Sequence, residues 1–436
     1  MSAADLRGAA IIAGLFGVVL VLAELWARAW NGKPEHTRKL VHLGGSAIGV
    51  FLPLLVESVL IAGFLTFGLS LLFFVTSKGK LLRSVGGVSR SSRGSEYYPL
   101  GVFLVFVLAD DQYWRYLASL LTLGVADAFA ALVGSEYGRV RYDVEEESKS
   151  LEGSLAFLVV AYLAIQLPTL LLTDLDPTTV VLSSLLVALV VTGFEAISLR
   201  GADNLFVPIA ACVILGKITT KPFDEIVFQN ASLVGLCIVM GFGARWFPIL
   251  NVGATIAVLL FTYGLWSLGS PLWALPVFIA LVALVTARSG RFSGKYIGVR
   301  PVARACIPLF AILILSNTNA AHNFWYAPYL GAAAAMTVIG VVQAAGSRTR
   351  AVVLALAASA AIILLPTRFA PSAPWSSIVL LFAIALLGGG AALALRRRYP
   401  AQSRLGEAIP ALTAILTAGA VAGIEYVGAV PTWIIQ

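Results

Sequence analysis

The chain has 436 residues, of which 59% are hydrophobic and only 12% are charged, and its mean hydropathy is +0.92. A soluble globular chain carries about 25% charged residues, so this composition excludes an ordinary soluble protein and indicates a multi-pass integral membrane protein. The net charge of +8 does not indicate nucleic-acid binding, because the basic residues lie in short loops between apolar runs, as is typical of the cytoplasmic side of membrane proteins.

Apolar runs recur along the whole chain, and at about 17–22 residues each is long enough to cross a hydrocarbon core about 30 Å thick. We therefore predict an all-α bundle of about 14–16 transmembrane spans. The first run, residues 9–30, lacks the cleavage site of a signal peptide and is predicted to remain as a span. The basic loops 77–93 and 288–304 are predicted to face the cytoplasm.

Polar residues near membrane boundaries are concentrated in the first half of the chain. From about residue 226 onward, the sequence consists mostly of spans rich in Ala, Leu, Val and Ile. We therefore predict a catalytic membrane module at 1–225, followed by an accessory transmembrane module at 226–436.

The first polar cluster is "PEHTRKLVHLGG", directly before an apolar run. Glu35, Arg38, Lys39 and His42 have the spacing i, i+3, i+4, i+7, which places them on one face of a helix. A basic anchor with a Glu35–Lys39 ion pair is the simplest interpretation. His42 favours a functional site, because it lies deeper than the anchor and polar groups at that depth are costly unless they face a cavity or each other.

The second polar feature is Asp127, a carboxylate inside an otherwise apolar span that continues to Gly134 through small residues. An ionisable residue within a membrane span is a functional-site hypothesis. The alternative is a structural ion pair with Arg38 or Lys39.

The segment "KSLEGS" follows that span. It brings Lys149, Ser150, Gly153 and Ser154 to the start of the next helix, where free N–H groups and the helix dipole favour an anion. Ser150 with the two following small residues is also consistent with a simple helix cap, while the adjacent lysine favours a phosphate.

The third polar cluster surrounds the segment "GFEAISLRGADNLFVPIA". Glu195 lies near a span end, and Asp203 and Asn204 precede a short apolar segment. Carboxylate and amide oxygens are ligands that suit Mg²⁺, although a turn followed by a helix cap explains "GADN" equally well. A further acid, Glu96, lies at the start of a helix in "SRGSEYYPLG", where the tyrosines are also typical of a membrane interface.

These clusters combine cations for phosphates, carboxylates for Mg²⁺ and a location in the membrane. Phosphoryl or nucleotidyl transfer to a lipid requires all three features. The segment "GRFSGKY" at Gly290 is not a P-loop, because its glycine spacing is wrong and no Ser or Thr follows the lysine.

The segments "EHTRKLVHLGG", "SEYYPLG", "ADAFAALVGSEYGRVRY", "KSLEGSLAF" and "GADNLFVPIA" occur in this order. Together they resemble the integral-membrane polyprenol kinase family, which includes dolichol kinase, phytol kinase and CTP-dependent diacylglycerol kinase and is related to the phosphatidate cytidylyltransferases. The resemblance covers roughly residues 30–215. One departure is Ala126, where the family usually has glycine before the aspartate.

The resemblance implies that Arg38, Lys39 and Asp127 are essential, and that CTP with Mg²⁺ donates a phosphoryl group to a membrane lipid alcohol at the cytoplasmic face. In this interpretation Asp127 and Asp203 hold the metal, and the cations hold the triphosphate. A phosphatidate cytidylyltransferase is the nearest alternative, but the Lys- and Asp-rich C-terminal signature of those enzymes is absent. A transporter is the other alternative; it predicts polar residues at the midplane of two matching halves.

Overall fold

The structure is a computed structural model, and it describes residues 2–29, 34–79, 93–246, 249–288, 296–318, 324–367, 375–399 and 403–426. These residues are almost entirely α-helical, which confirms the predicted all-α class. The chain separates into two compact units, Met1–Val234 and Gly235–Gln436. The roles predicted for the two halves stay predictions.

The first unit consists of apolar helices, because a helix satisfies its own backbone hydrogen bonds where no water is present. Its helices are α1 Ala3–Ala29, α2 Pro34–Gly49, α3 Leu52–Leu55, α4 Val59–Gly79, α5 Gly94–Leu108, α6 Tyr113–Leu121, α7 Asp127–Tyr137, α8 Leu151–Leu172, α9 Pro177–Ile197, α10 Asp203–Ile218 and α11 Phe223–Trp246. Helix α11 begins in the first unit and ends in the second.

Two irregular elements interrupt this helical pattern. A π-helical turn, Thr122–Ala126, joins α6 to α7. A hairpin of two antiparallel strands, β1 Arg141–Val144 and β2 Glu147–Ser150, joins α7 to α8. Neither element was predicted from the sequence, and both lie next to residues of the candidate site.

Twelve helical stretches in the described residues are long and apolar enough to cross a membrane, and three further apolar helices, residues 40–49, 94–108 and 252–268, are shorter. The predicted count of about 14–16 spans therefore includes helices below the usual length. Large apolar side chains such as Leu60 and Phe64 are exposed on α4, as expected for a surface that faces lipid.

The second unit is built around one buried helix. Its helices are α12 Val252–Leu268, α13 Pro271–Arg288, α14 Val299–Thr318, α15 Tyr326–Ala344, α16 Arg348–Thr367, α17 Trp375–Arg398 and α18 Arg404–Tyr426. Helix α15 packs against α13, α16, α17 and α18, and its run of alanines lets those helices approach closely. Near its start, the hydroxyls of Tyr326 and Tyr329 donate to the backbone oxygens of Leu272 and Trp273.

Candidate functional site

Asp127 begins helix α7 directly after the π-helical turn. A π-helical turn adds one residue to the helical repeat, so it changes the direction of the side chains that follow, and such turns are frequent at functional sites. The Asp127 side chain is 32% exposed, although the neighbouring Ala126 and Ala128 are buried. The predicted intramembrane carboxylate is therefore accessible.

Helix α2 packs closely against the same turn. A Cβ atom at Gly124 would lie 2.3 Å from Ser46 Oγ, so only glycine allows this approach. One turn earlier on α2, His42 Nε2 lies 3.3 Å from the carbonyl oxygen of Leu123 and 3.8 Å from Asp127 Oδ2. The predicted residues His42 and Asp127 are thus neighbours in the structure, although 85 positions separate them in the chain.

An aromatic side chain covers the other side of His42. The ring of Tyr98 on α5 packs edge-on against the His42 ring with a centroid distance of 4.8 Å. The Tyr98 hydroxyl donates to Ser46 Oγ at 3.1 Å. Tyr98 therefore fixes the position of His42 from α5 while its own hydroxyl is satisfied on α2.

Lys149 on β2 and Glu195 on α9 form a buried ion pair. Lys149 Nζ donates to Glu195 Oε1 at 2.7 Å and also to the Glu195 backbone oxygen. Burial alone lowers the pKa of the Lys149 ammonium, but Glu195 and Asp203 raise it, so its net pKa lies above the ordinary value for lysine. Lys149 is therefore a cation at neutral pH.

The carboxylates of Asp127 and Asp203 lie near enough to Glu195 for their charges to act on it. Asp203 and Asn204 begin α10, and the backbone N–H of Asn204 donates to Asp203 Oδ1 at 3.0 Å. The structure thus brings Asp127, Lys149, Glu195 and Asp203 into one electrostatic cluster. We call these four residues the charged cluster.

Hydrogen bonds link the loops that surround the charged cluster. In the loop between α9 and α10, the Arg200 N–H donates to Glu147 Oε1 on the hairpin at 2.9 Å, and the Arg200 backbone oxygen accepts from the N–H of Arg93 at 2.9 Å. Arg200 also forms an exposed ion pair with Glu146. These bonds hold the hairpin, the start of α5 and the start of α10 together.

The start of α8 is occupied by side chains of the chain itself. Ser150 is the cap residue and accepts from the N–H of Gly153 at 3.2 Å, as the capping interpretation of the sequence predicts. A Cβ atom at Gly134 would lie 2.9 Å from Ser150 Oγ, and one at Gly153 would lie 2.9 Å from the Ala130 backbone oxygen. Both glycines therefore permit close packing of α7 on α8, and a phosphate role for this segment stays a prediction.

Five other predicted residues lie outside the charged cluster or have side chains outside the described part of the structure. Ser154 shares a hydrogen bond of 2.7 Å with the Tyr142 hydroxyl on β1. Glu96 lies in the first turn of α5, where its backbone oxygen accepts from Ser70 Oγ at 2.8 Å. The backbone of residues 35, 38 and 39 lies in α2, which confirms the predicted helix, but the side chains of Glu35, Arg38 and Lys39 lie outside the described part of the structure.

The chain is similar to a curated phytol kinase from Synechocystis sp. The two sequences are 30% identical over 213 residues, which is 47% of this chain and 88% of the relative. The chain belongs to the polyprenol and phytol kinase-like family. No family model matches this chain, and no solved structure matches it.

In this kinase-like chain, the residues that the sequence analysis missed are those that position others. Tyr98 packs against His42 and donates a hydrogen bond to Ser46 on α2. Tyr142 shares a hydrogen bond with Ser154. Each of these contacts joins segments that are distant in the sequence or belong to different elements. The small residues "GGS" that follow His42 were a partial signal, because they indicate a close helix approach. Nothing in the local sequence indicated which helix would approach.

The donor set of this phytol kinase-like chain suits Mg²⁺ only together with a substrate. Among the described residues, no three His, Cys, Asp or Glu side chains are placed to hold a metal ion by themselves. Mg²⁺ typically uses one or two carboxylates, waters and substrate phosphates. Glu195 Oε2 in the charged cluster and Oδ1 of the adjoining Asn204 are buried acceptors that lack a hydrogen-bond partner among the described residues. They are therefore oxygen atoms available to a further donor or metal ion.

Proposed function

We propose that the chain is a lipid kinase that transfers the γ-phosphoryl group of CTP to the hydroxyl of a membrane isoprenoid alcohol such as phytol. The observation that carries this proposal is the meeting of His42 and Asp127 beside Lys149, Glu195 and Asp203 in a chain similar to a phytol kinase. Phosphoryl transfer depends mainly on positioning and charge stabilisation, and this cluster supplies fixed charges at a membrane helix.

In the proposed reaction, the alcohol oxygen forms a bond to the γ-phosphorus, and the bond from that phosphorus to the β–γ bridging oxygen breaks. CDP leaves with the bridging oxygen, and the alcohol proton passes to the imidazole of His42. Asp127, 3.8 Å from His42 Nε2, would stabilise the imidazolium that results.

Asp127 and Asp203 are the proposed ligands of Mg²⁺, which would neutralise charge on the phosphates when bound. Arg38 and Lys39 are the proposed phosphate-binding cations. Lys149 is assigned a positioning role, because its ammonium is already bonded to Glu195. The lipid chain stays in the bilayer throughout, which avoids a cost of about 0.8 kcal/mol for each methylene brought into water.

The test measures label transfer from γ-labelled CTP or ATP to phytol, a polyprenol and diacylglycerol in detergent, with a parallel reaction that contains phosphatidate, for wild type and Lys39→Ala. We expect labelled phytol phosphate and CDP from wild type, and loss of label in Lys39→Ala. Labelled pyrophosphate formed from CTP and phosphatidate, with no labelled lipid, would instead establish a cytidylyltransferase.

A further inference from the structure

The second unit contains a buried acid that makes no hydrogen bond with the described residues. Glu425 on α18 and Ser377 on the neighbouring helix α17 are 5% and 2% exposed. Both carboxyl oxygens of Glu425 and the hydroxyl of Ser377 lack a partner among the described residues, and no described charge lies near enough to act on Glu425. A buried carboxylate is costly unless a donor or a cation meets it, so these two side chains indicate a binding site.

Both side chains line one small cleft between α15, α17 and α18. The other walls of this cleft are apolar and include Leu381 and Val421. The space has room for no more than one group of the size of a water molecule. Because Glu425 and Ser377 are not bonded to each other, a single occupant of that size can contact both side chains.

The cleft lies at the ends of its helices, at the level of a membrane interface. Ser377 is in the first turn of α17, and Glu425 is in the last turn of α18. The nearby Trp375 and Tyr426 are largely exposed, and exposed aromatic side chains are typical of membrane interfaces. The three arginines of α17, residues 396–398, lie at the opposite end of that helix. A lipid headgroup is therefore at the right depth to reach Glu425.

A primary ammonium group fits the three acceptor oxygens of the cleft. It donates up to three hydrogen bonds, which matches the two carboxyl oxygens of Glu425 and the hydroxyl oxygen of Ser377. Its positive charge compensates the carboxylate, whereas a water molecule in the same place would leave the negative charge without a counter-charge. The quaternary ammonium of choline has no N–H donor and is larger than the space, so it does not fit.

We propose that this cleft binds the primary ammonium of a lipid headgroup, such as that of phosphatidylethanolamine, and rejects phosphatidylcholine. The acyl chains of the lipid stay in the surrounding bilayer. The site is independent of the proposed kinase reaction, and it gives the second unit a lipid ligand. Without that lipid, the carboxyl group of Glu425 stays unsatisfied and lowers the stability of the protein.

The test measures the thermal midpoint of the full chain in detergent after removal of bound lipid, with phosphatidylethanolamine or phosphatidylcholine of matched acyl chains added back. Wild type is compared with Glu425→Gln, which keeps the shape of the side chain, and with Glu407→Gln, a control at a partly exposed glutamate on the same helix. We expect wild type and Glu407→Gln to bind phosphatidylethanolamine with an apparent affinity about tenfold or more above that for phosphatidylcholine, because hydrogen bonds to charged groups have effects of this size. Glu425→Gln should lose this preference.

Further arms of the same measurement make the proposal falsifiable. Ser377→Ala removes one of the three acceptors and should weaken the preference. An equal effect of the two lipids on wild type, or a preference that persists in Glu425→Gln, would overturn the proposal. If free ethanolamine at the same concentration raises the midpoint as much as the lipid does, the ligand is a soluble amine and the proposal is wrong. A lower midpoint for lipid-free Glu425→Leu than for wild type would show that the carboxyl group is already bonded, which would also reject the site.

Discussion

Glu195 in the first unit and Glu425 in the second are both buried near the end of a long apolar helix, with 8% and 5% exposure. Glu195 is bonded to Lys149 and lies near Asp127 and Asp203. Neither carboxyl oxygen of Glu425 has a hydrogen-bond partner among the described residues. Beside Glu425 is a small cleft with apolar walls and one polar side chain, Ser377, whose hydroxyl is also unpartnered there.

This difference shows that a buried glutamate has different surroundings in the two units. In the first unit, acids and a lysine from separate segments meet and compensate one another, as in a site prepared to receive charged groups. In the second unit, α15, α17 and α18 pack together, and the Glu425 carboxyl group buried there makes no hydrogen bond with the described residues. The same residue type is therefore part of a network in one unit and an energetic cost in the other.

The largest expected loss of stability comes from removing the buried ammonium of Lys149 in the first unit. Lys149→Met leaves Glu195 buried without its counter-charge, and breaking a buried pair in this way costs about 3–5 kcal/mol. We expect a clear fall in the thermal midpoint measured in detergent. The double variant Lys149→Met with Glu195→Leu should recover most of that loss; if it is as unstable as the single variant, the ion pair is not the reason.

Substitution of Glu425 should change stability in the opposite direction. Glu425→Leu removes two unsatisfied buried oxygens, so we expect stabilisation of about 1–3 kcal/mol, measured as a higher thermal midpoint with unchanged kinase activity. Tyr426→Leu, at a neighbouring side chain that is 87% exposed, is the control and should change little. Destabilisation by Glu425→Leu would show that Glu425 binds a partner in the intact protein, and the contrast between the units would fail.

The smallest loss of stability is expected for an exposed ion pair next to the charged cluster. Arg200 and Glu146 form an ion pair in which both side chains are more than half exposed, so Arg200→Ala should cost less than about 1 kcal/mol. Added salt should reduce even this difference. A loss as large as that of Lys149→Met would mean that the loop between α9 and α10, and not the buried pair, stabilises the site.

Much of the helical architecture was predictable, because long apolar runs in a chain with few charges leave few alternatives to membrane helices. The α2 face with His42 and the cap at Ser150 also follow from local spacing. The π-helical turn before Asp127 and the hairpin at 141–150 were missed, because neither has a hydrophobic period of its own. The contacts of Lys149 with Glu195 and of His42 with Tyr98 join residues 46 and 56 positions apart, and local patterns carry no signal for such pairing.

We propose that the carboxylate of Asp127, placed by the π-helical turn beside His42, takes part in phosphoryl transfer to a lipid alcohol. The most direct measurement is the rate of phytol phosphorylation by Asp127→Asn, with Asp224→Asn as a control at an exposed carboxylate outside the site. We expect Asp127→Asn to lose about 100-fold or more in rate while its thermal midpoint stays near that of wild type. A near-normal rate in folded Asp127→Asn would contradict the claim.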